Sequence, residues 1–312
     1  MANVSDNCDI SVVIPLYNKA AEIERTLRSV LSQSLPPREI IVVDDGSTDG
    51  SAEIVERIGD NRVTLIRQEN RGVSAARNRA IATAKGRWVA LLDGDDVWME
   101  DYLKTVADMI ARWPDCGAYG VRVLIDDGRN QTASSAPATD GIVDFFAESM
   151  KGYVLIASAT TINRDVVLEL GGFPEGMRMG EDQYLWTKIA RKAPIAFHSQ
   201  PKVIYSRAAT NRSAASYTPE KSNFSLEDLY DPAQSDISNE YVARVALGKA
   251  LIESAKGGTG AAKRALKFFA YNKLSHRIAR KVRLLNALPA AWRPSILALY
   301  NHMAWLIARK GL

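Results

Sequence analysis

Between residues 10 and 96 short, β-branched apolar runs alternate with stretches whose apolar residues recur at helical spacing, and this alternation constrains the chain most. "ISVVIPLY" (10–17), "EIIVVDDGS" (39–47), "RVTLIRQ" (62–68) and "RWVALLDGDD" (87–96) read as strands. "NKAAEIERTLRSVLSQ", "TDGSAEIVERIGD" and "GVSAARNRAIATAKG" read as the helices between them. Such order builds βαβ units around a mainly parallel sheet covered by helices on both faces, an α/β fold. Ligands of these sheets collect beyond the carboxyl ends of the strands. The polar clusters "YNK", "DDGSTD" and "DGDD" all stand at such ends.

The last cluster crowds Asp93, Asp95 and Asp96 into four positions after an apolar run. Unpaired, these carboxylates repel one another and resist desolvation, so at least one is pushed toward its neutral form and a positive charge is expected nearby. Asp93 and Asp95 form a D-x-D pair whose hard oxygens suit Mn²⁺ or Mg²⁺, with coordination positions left for phosphate oxygens. A turn rich in Asp for its own hydrogen bonding is the competing explanation. In "VVDDGSTD", Asp44 is placed to accept from the imide N–H of a pyrimidine, while Asp45 and Ser47 hold the turn; taken alone, this stretch too is explained as a turn.

Beyond Trp98 the pattern loosens. "EDYLKTVADMIARWPD" is helical, "GAYGVRVLIDD" strand-like, "GRNQTASSAPATDG" a polar loop, and "YVLIASATTINRDVVLELGGF" a strand followed by a short helix. "GEDQYLWTKIARKA" is an amphipathic helix with Glu181 and Asp182 in its first turn, where acids also complement the macrodipole. Tyr184 and Trp186 could stack on a sugar, but at helical spacing they fit a core better. "GGFPEGMRMG" (171–180) is expected to be a mobile loop on the acceptor side. Residues 1–217 are read as one domain, 218–238 as linker and 239–312 as a helical C-terminal region.

Four of these segments, "SVVIPLYNKAAEIERTLRSVLSQ", "EIIVVDDGSTDGS", "NRGVSAARNRAIATAKGRWVALLDGDDVW" and "LGGFPEGMRMGEDQYLWTKIAR", resemble in order and spacing the signatures of family 2 glycosyltransferases, over roughly residues 10 to 210. The resemblance implies an inverting enzyme of the Rossmann-like GT-A fold, acting on a nucleotide-sugar donor, UDP-linked by preference, and a glycan or lipid-linked acceptor of cell-surface polysaccharide synthesis. Pro15, Tyr17, Asn18, Asp44, Asp45, Arg77 and Asn78 match the nucleotide-contacting segments. Asp93 and Asp95 match the ribose- and metal-binding pair, with Asp95 the direct ligand, and Asp182 matches the catalytic base with Glu181 beside it. Many relatives carry a His after the last core strand; "VIYSRAATNRSAAS" has none, which leaves the third metal ligand open. Arg207 and Arg212 could clamp the diphosphate instead, and His198 reads as a packed or surface residue.

Of the 40 Lys and Arg, 12 lie after Glu253, where there is no Asp or Glu; the remaining 28 face all 36 acidic residues, a balance of −8. An acidic body with a basic tail rich in Leu, Ile and aromatics, Phe268, Phe269, Trp292, Tyr300 and Trp305 among them, points to peripheral contact with a membrane. The alternatives are helices packed on the body or a homo-oligomer contact; abundant aliphatics argue against nucleic acid. Two separated cysteines exclude a disulfide framework, and no signal peptide or spanning segment is read, so the expected place is the cytoplasm, at the inner face of the membrane if the tail binds lipid. A sugar nucleotidyltransferase would want a Gly-rich loop after the first strand, which "IPLYNKAAEIERT" lacks. A non-catalytic nucleotide-sugar-binding or scaffold protein remains as the second reading.

Overall fold

The structure is a computed structural model and describes residues 9–209, 222–256, 259–269 and 275–299. The chain divides into two compact units, one of residues 1–216 with 222–224, the other of residues 217–221 with 225–312.

The first unit begins β1 (Ile10–Leu16), α1 (Ile23–Leu31), β2 (Glu39–Asp44), α2 (Ser51–Ile58), β3 (Val63–Arg67), α3 (Val73–Thr83), β4 (Trp88–Leu91) and β5 (Val97–Trp98). It continues α4 (Tyr102–Arg112), β6 (Ala118–Asp126), β7 (Gln131–Ala133), β8 (Gly141–Val143), α5 (Phe145–Ser149), β9 (Thr160–Asn163), α6 (Arg164–Glu169), α7 (Glu181–Lys192) and β10 (Ile195–Ser206). One sheet runs β3-β2-β1-β4-β9-β6-β10-β5, with β7 beside β6 and β8 beside β10. The first four strands of that order are parallel. β9 enters antiparallel between β4 and β6, so parallel pairing returns only where β10 meets β6. β1 lies inside the parallel half, and its Val12, Val13 and Ile14 are wholly buried on both faces. Each such side chain contributes about 1.5–3 kcal/mol of transfer free energy, which explains the unbroken apolar run.

The helix expected from Asn18 starts only at Ile23; Asn18 takes a left-handed conformation (φ 50°) and residues 18–22 form a turn. The polar stretch 128–141 contains β7, with β8 starting at its end. On β6, a Cβ at Gly120 would stand 2.3 Å from the Val154 carbonyl, so the chain crosses the sheet there only because the side chain is absent.

The second unit opens on a capped 3₁₀ turn (Leu226–Leu229), in which Ser225 and Asp228 form a capping box. α8 (Asp236–Ala255), α9 (Thr259–Phe268), α10 (His276–Asn286) and helical residues 293–299 follow. Its core alternates Ala243, Ala250, Ala262 and Ala279 with Leu247, Phe269, Val282 and Leu285, small residues that let helices approach closely. Among the described residues, no helix is long and apolar enough to cross a membrane.

Candidate functional site

Parallel pairing places the carboxyl ends of β1, β2 and β4 on one edge of the sheet, with Leu16 opposite Asp44 and Val13 opposite Leu91. Tyr17 leaves β1 exposed, and Pro15 is half-buried beneath it. The Asn18 N–H donates to Ser47 Oγ (3.0 Å) and its Oδ1 accepts from the Thr48 N–H (2.8 Å), which binds the end of β1 to the loop after β2. Asp44 is buried there and accepts from the Ser47 N–H (3.2 Å). Asp45 does different work. Its carboxylate accepts from Gln68 Nε2 (2.8 Å), the Arg71 N–H (2.8 Å) and the Gly72 N–H (2.7 Å), and so holds the loop into α3.

The three aspartates after β4 separate by environment. Asp96 is fully buried, accepts from the Ser206 N–H (2.7 Å), and is pushed well above the ordinary carboxylate range by burial first and by the charges of Asp95 and Asp93 next. Asp93 pairs with Arg77 (2.7 Å) and Asp95 with Lys19 (2.7 Å). The protein therefore supplies two cations of its own. Arg25 bridges the Asp95 carbonyl and Ser206 Oγ (3.3 Å each), tying the turn to the end of β10. Lys19 and Arg25 escaped the sequence reading, because a basic residue near a helix start is usually just solvated; the excess of unpaired acid at one strand end was the available signal.

Arg77 joins the two sides of the site. Its side chain is only 4% exposed, pairs with Asp93 and, at 3.3 Å, with Glu181, and lies over the Phe173 ring at 5.1 Å. Burial would lower its pKa, yet the carboxylates around it, Asp182 among them, outweigh burial and raise it. At the start of α7, burial raises both Glu181 and Asp182; the charge of Asp182 adds to the rise at Glu181, while Arg77 opposes it at both. Asp182 Oδ1 also accepts from the Gln183 N–H (2.8 Å). Asp93, Arg77, Glu181 and Asp182 thus form one electrostatic cluster assembled from three segments of chain.

Asn78 spends both ends of its amide on Phe173, donating to the carbonyl (2.9 Å) and accepting from the N–H (2.8 Å). Arg71 reaches Glu175 (2.9 Å), and Phe173 and Met177 are buried. The 171–180 loop is accordingly pinned at its Phe173 end. Gly172 has φ +74°, and a Cβ there would lie 2.6 Å from Asn78 Oδ1, so glycine permits the clamp. Trp186 and Tyr184 are buried, Trp186 edge-on to Phe173, as the core explanation of this helix requires.

Arg207 lies exposed one residue beyond Ser206, with its N–H on the Asp126 carbonyl (2.7 Å). His198 Nδ1 is 2.9 Å from Asp140 Oδ2, one residue beyond the stretch of β10 paired with β8. Arg212 lies outside the described residues. Among the described residues no group of three His, Cys, Asp or Glu converges on a metal position. The donor chemistry of Asp93 and Asp95 still fits a divalent ion that brings phosphate oxygens with it, since Mg²⁺-type ions use one or two carboxylates plus substrate phosphates.

The chain is 29% identical over 231 residues to the glycosyltransferase GlyA of Streptococcus pneumoniae, covering 69% of this chain and 31% of GlyA. It is 40% identical over 120 residues to the succinoglycan biosynthesis protein ExoO of Rhizobium meliloti, 38% of this chain and 33% of that one. The chain thus spans about a third of the length of these relatives. The crystal structure of S. aureus TarS 1-349 in complex with UDP-GlcNAc superposes with a TM-score of 0.61 at 22% identity, covering 86% of this chain and 77% of that 1-349 chain, and so shares the fold. The family model for glycosyl transferase family 2 matches residues 11–171, just over half of the chain. On that match the chain belongs to glycosyl transferase family 2.

Proposed function

We propose that the protein is an inverting glycosyltransferase that moves a sugar from a nucleotide diphosphate, UDP by preference, to a glycan or lipid-linked acceptor in the synthesis of cell-surface polysaccharide. The observation that carries this reading is the Arg77 cluster, which brings the aspartate of the D-x-D turn and the acids opening α7 to a single cation. An in-line displacement needs these two kinds of group within one cleft.

In this reading Asp44, Tyr17 and Pro15 receive the base, while Asp45 and Asn18 shape its seat. Asp95, with Asp93, holds Mn²⁺ or Mg²⁺, which when bound neutralises charge on the departing diphosphate. Asp182 takes the proton of the acceptor hydroxyl as that oxygen bonds to the anomeric carbon. The bond from that carbon to the diphosphate oxygen breaks with its electron pair on the leaving group, and the centre inverts. Burial keeps Asp182 basic against the opposing charge of Arg77, and Arg77 relieves the repulsion among the clustered acids by pairing with Asp93 and Glu181. Arg207 stands at the rim, where its guanidinium fits phosphate oxygens. The names of relatives support the substrate class: one acts in succinoglycan biosynthesis and one structural neighbour holds UDP-GlcNAc.

The same reading divides the chain into a GT-A domain (1–217), a linker (218–238) and a basic helical region (239–312) whose partner is a membrane surface. A thermal-shift screen of nucleotide diphosphates and their sugars, with and without Mn²⁺, followed by donor turnover with candidate acceptors, tests it. Stabilisation by a UDP-sugar together with acceptor-dependent release of UDP is expected. Stabilisation without any turnover would favour a non-catalytic binding protein.

A further inference from the structure

Lys19 opens the turn between β1 and α1, and its place there is built. The Asn18 N–H donates to Ser47 Oγ (3.0 Å), the Lys19 N–H to Ser51 Oγ (2.8 Å) and the Ala20 N–H to Asp49 Oδ2 (2.9 Å). Three successive backbone donors are thereby fixed on the β2–α2 loop and the first residue of α2. The left-handed Asn18 (φ 50°) opens this run; Asn tolerates that conformation better than most residues. The lysine stem passes Gly94, whose Cβ would stand 3.6 Å from Lys19 Cγ. Nζ then reaches Asp95 Oδ2 at 2.7 Å, with side chains only 12% and 14% exposed. An exposed lysine on a free stem would contribute little against a carboxylate. With its backbone anchored and its head mostly covered, less entropy is lost and screening is weaker.

Resting on the assignment of Asp95 to the divalent ion, we propose that Lys19 is the resident counter-cation of that carboxylate. Its ammonium occupies Asp95 in the free protein, withdraws when the ion binds, and then takes a phosphate oxygen of the nucleotide. Lys19 is in this sense a positioning residue that makes the ion arrive with its substrate and not before it. The apparent affinity for the bare ion is lowered by the work of displacing the ammonium, as for any competing occupant.

The test is Mn²⁺ binding to the full chain, followed by loss of the free-ion EPR signal, for wild type, Lys19→Met, Lys19→Gln and Lys19→Arg, each with and without UDP. Without UDP, Lys19→Met and Lys19→Gln are expected to bind Mn²⁺ about tenfold more tightly than wild type, the worth of one charge-assisted hydrogen bond, and Lys19→Arg to resemble wild type. With UDP present the advantage of the two neutral variants is expected to vanish or reverse. Equal affinity of wild type and both neutral variants for Mn²⁺ alone overturns the role of Lys19 and leaves the metal assignment standing. Absence of Mn²⁺ binding by every protein, with UDP or without, overturns the metal assignment and the role of Lys19 together.

Discussion

Arg77 is the residue on which the two halves of the site depend, and its burial sets what its loss would do. Removing a buried cation leaves carboxylates in low dielectric without their partner, which costs roughly 3–5 kcal/mol when a buried pair is broken from one side. Arg77→Met is therefore expected to lower the thermal midpoint markedly in calorimetry, and Arg77→Lys to recover part of it, since one ammonium cannot serve Asp93 and Glu181 together; an unchanged midpoint in Arg77→Met would refute the bridging role. Asp182→Asn should lower kcat by about 10²–10⁴, the usual worth of a general base, while donor affinity in calorimetric titration stays within a few fold. Because Asp182 and Glu181 are both raised above the ordinary carboxylate range, the base is lost to protonation at a higher pH than usual. Rate should thus rise with pH along an acid limb displaced upward. Glu181→Gln removes the neighbouring charge and should move that limb to lower pH in a kcat/KM profile; a limb that stays put would mean the two acids do not titrate as a pair.

At the scale of elements, the Phe173 end of the loop from Gly171 to Gly180 is held by one helix residue, Asn78, which accepts from the Phe173 N–H and donates to the Phe173 carbonyl and to Glu175. Asn78→Ala should free the Phe173 amide to exchange, at about 1–3 kcal/mol less protection, the cost of such bonds. A Phe173 amide equally protected in the variant would show that packing of Phe173 alone holds the loop. This contact also marks where sequence reasoning stops. Runs such as "SVVIP" and "EIIVV" announced their strands because burial on both faces demands apolar residues at every position. β5, β7 and β8 are two or three residues long, and their strand character comes from neighbours far away in sequence, which no local pattern encodes. The site divides in the same way. Three crowded aspartates implied that at least one would be pushed toward its neutral form and that positive charge would stand nearby; Asp96 is pushed that way, and Lys19 and Arg77 stand beside Asp95 and Asp93. Which aspartate and which cations depends on the side of the turn each one faces, and that is decided by Ser158, Thr26 and Ser206 from distant elements.

For the whole molecule, the separation of charge carries the last expectation. The second unit exposes Leu284 (61%) and Trp292 (62%), with Phe268 half exposed, and Lys263, Arg264, Lys267, Arg277, Arg280 and Arg283 are exposed on the same helices. Tyr300 and Trp305, also read as part of this surface, lie outside the described residues. Basic residues near an anionic bilayer contribute about 1 kcal/mol each, and this attraction fades within a Debye length. Apolar side chains among them add burial that salt does not screen. The two terms predict different responses. The full chain should sediment with phosphatidylglycerol-containing vesicles at low salt, weakly with neutral ones, and release partly as salt rises. Leu284→Glu with Trp292→Glu should reduce binding at every salt concentration, while Arg280→Gln with Arg283→Gln should reduce it chiefly at low salt. Equal recovery with anionic and neutral vesicles would discard the electrostatic part, and failure to sediment with either would leave the basic helices to serve another copy of the chain, which sedimentation velocity would reveal as a dimer.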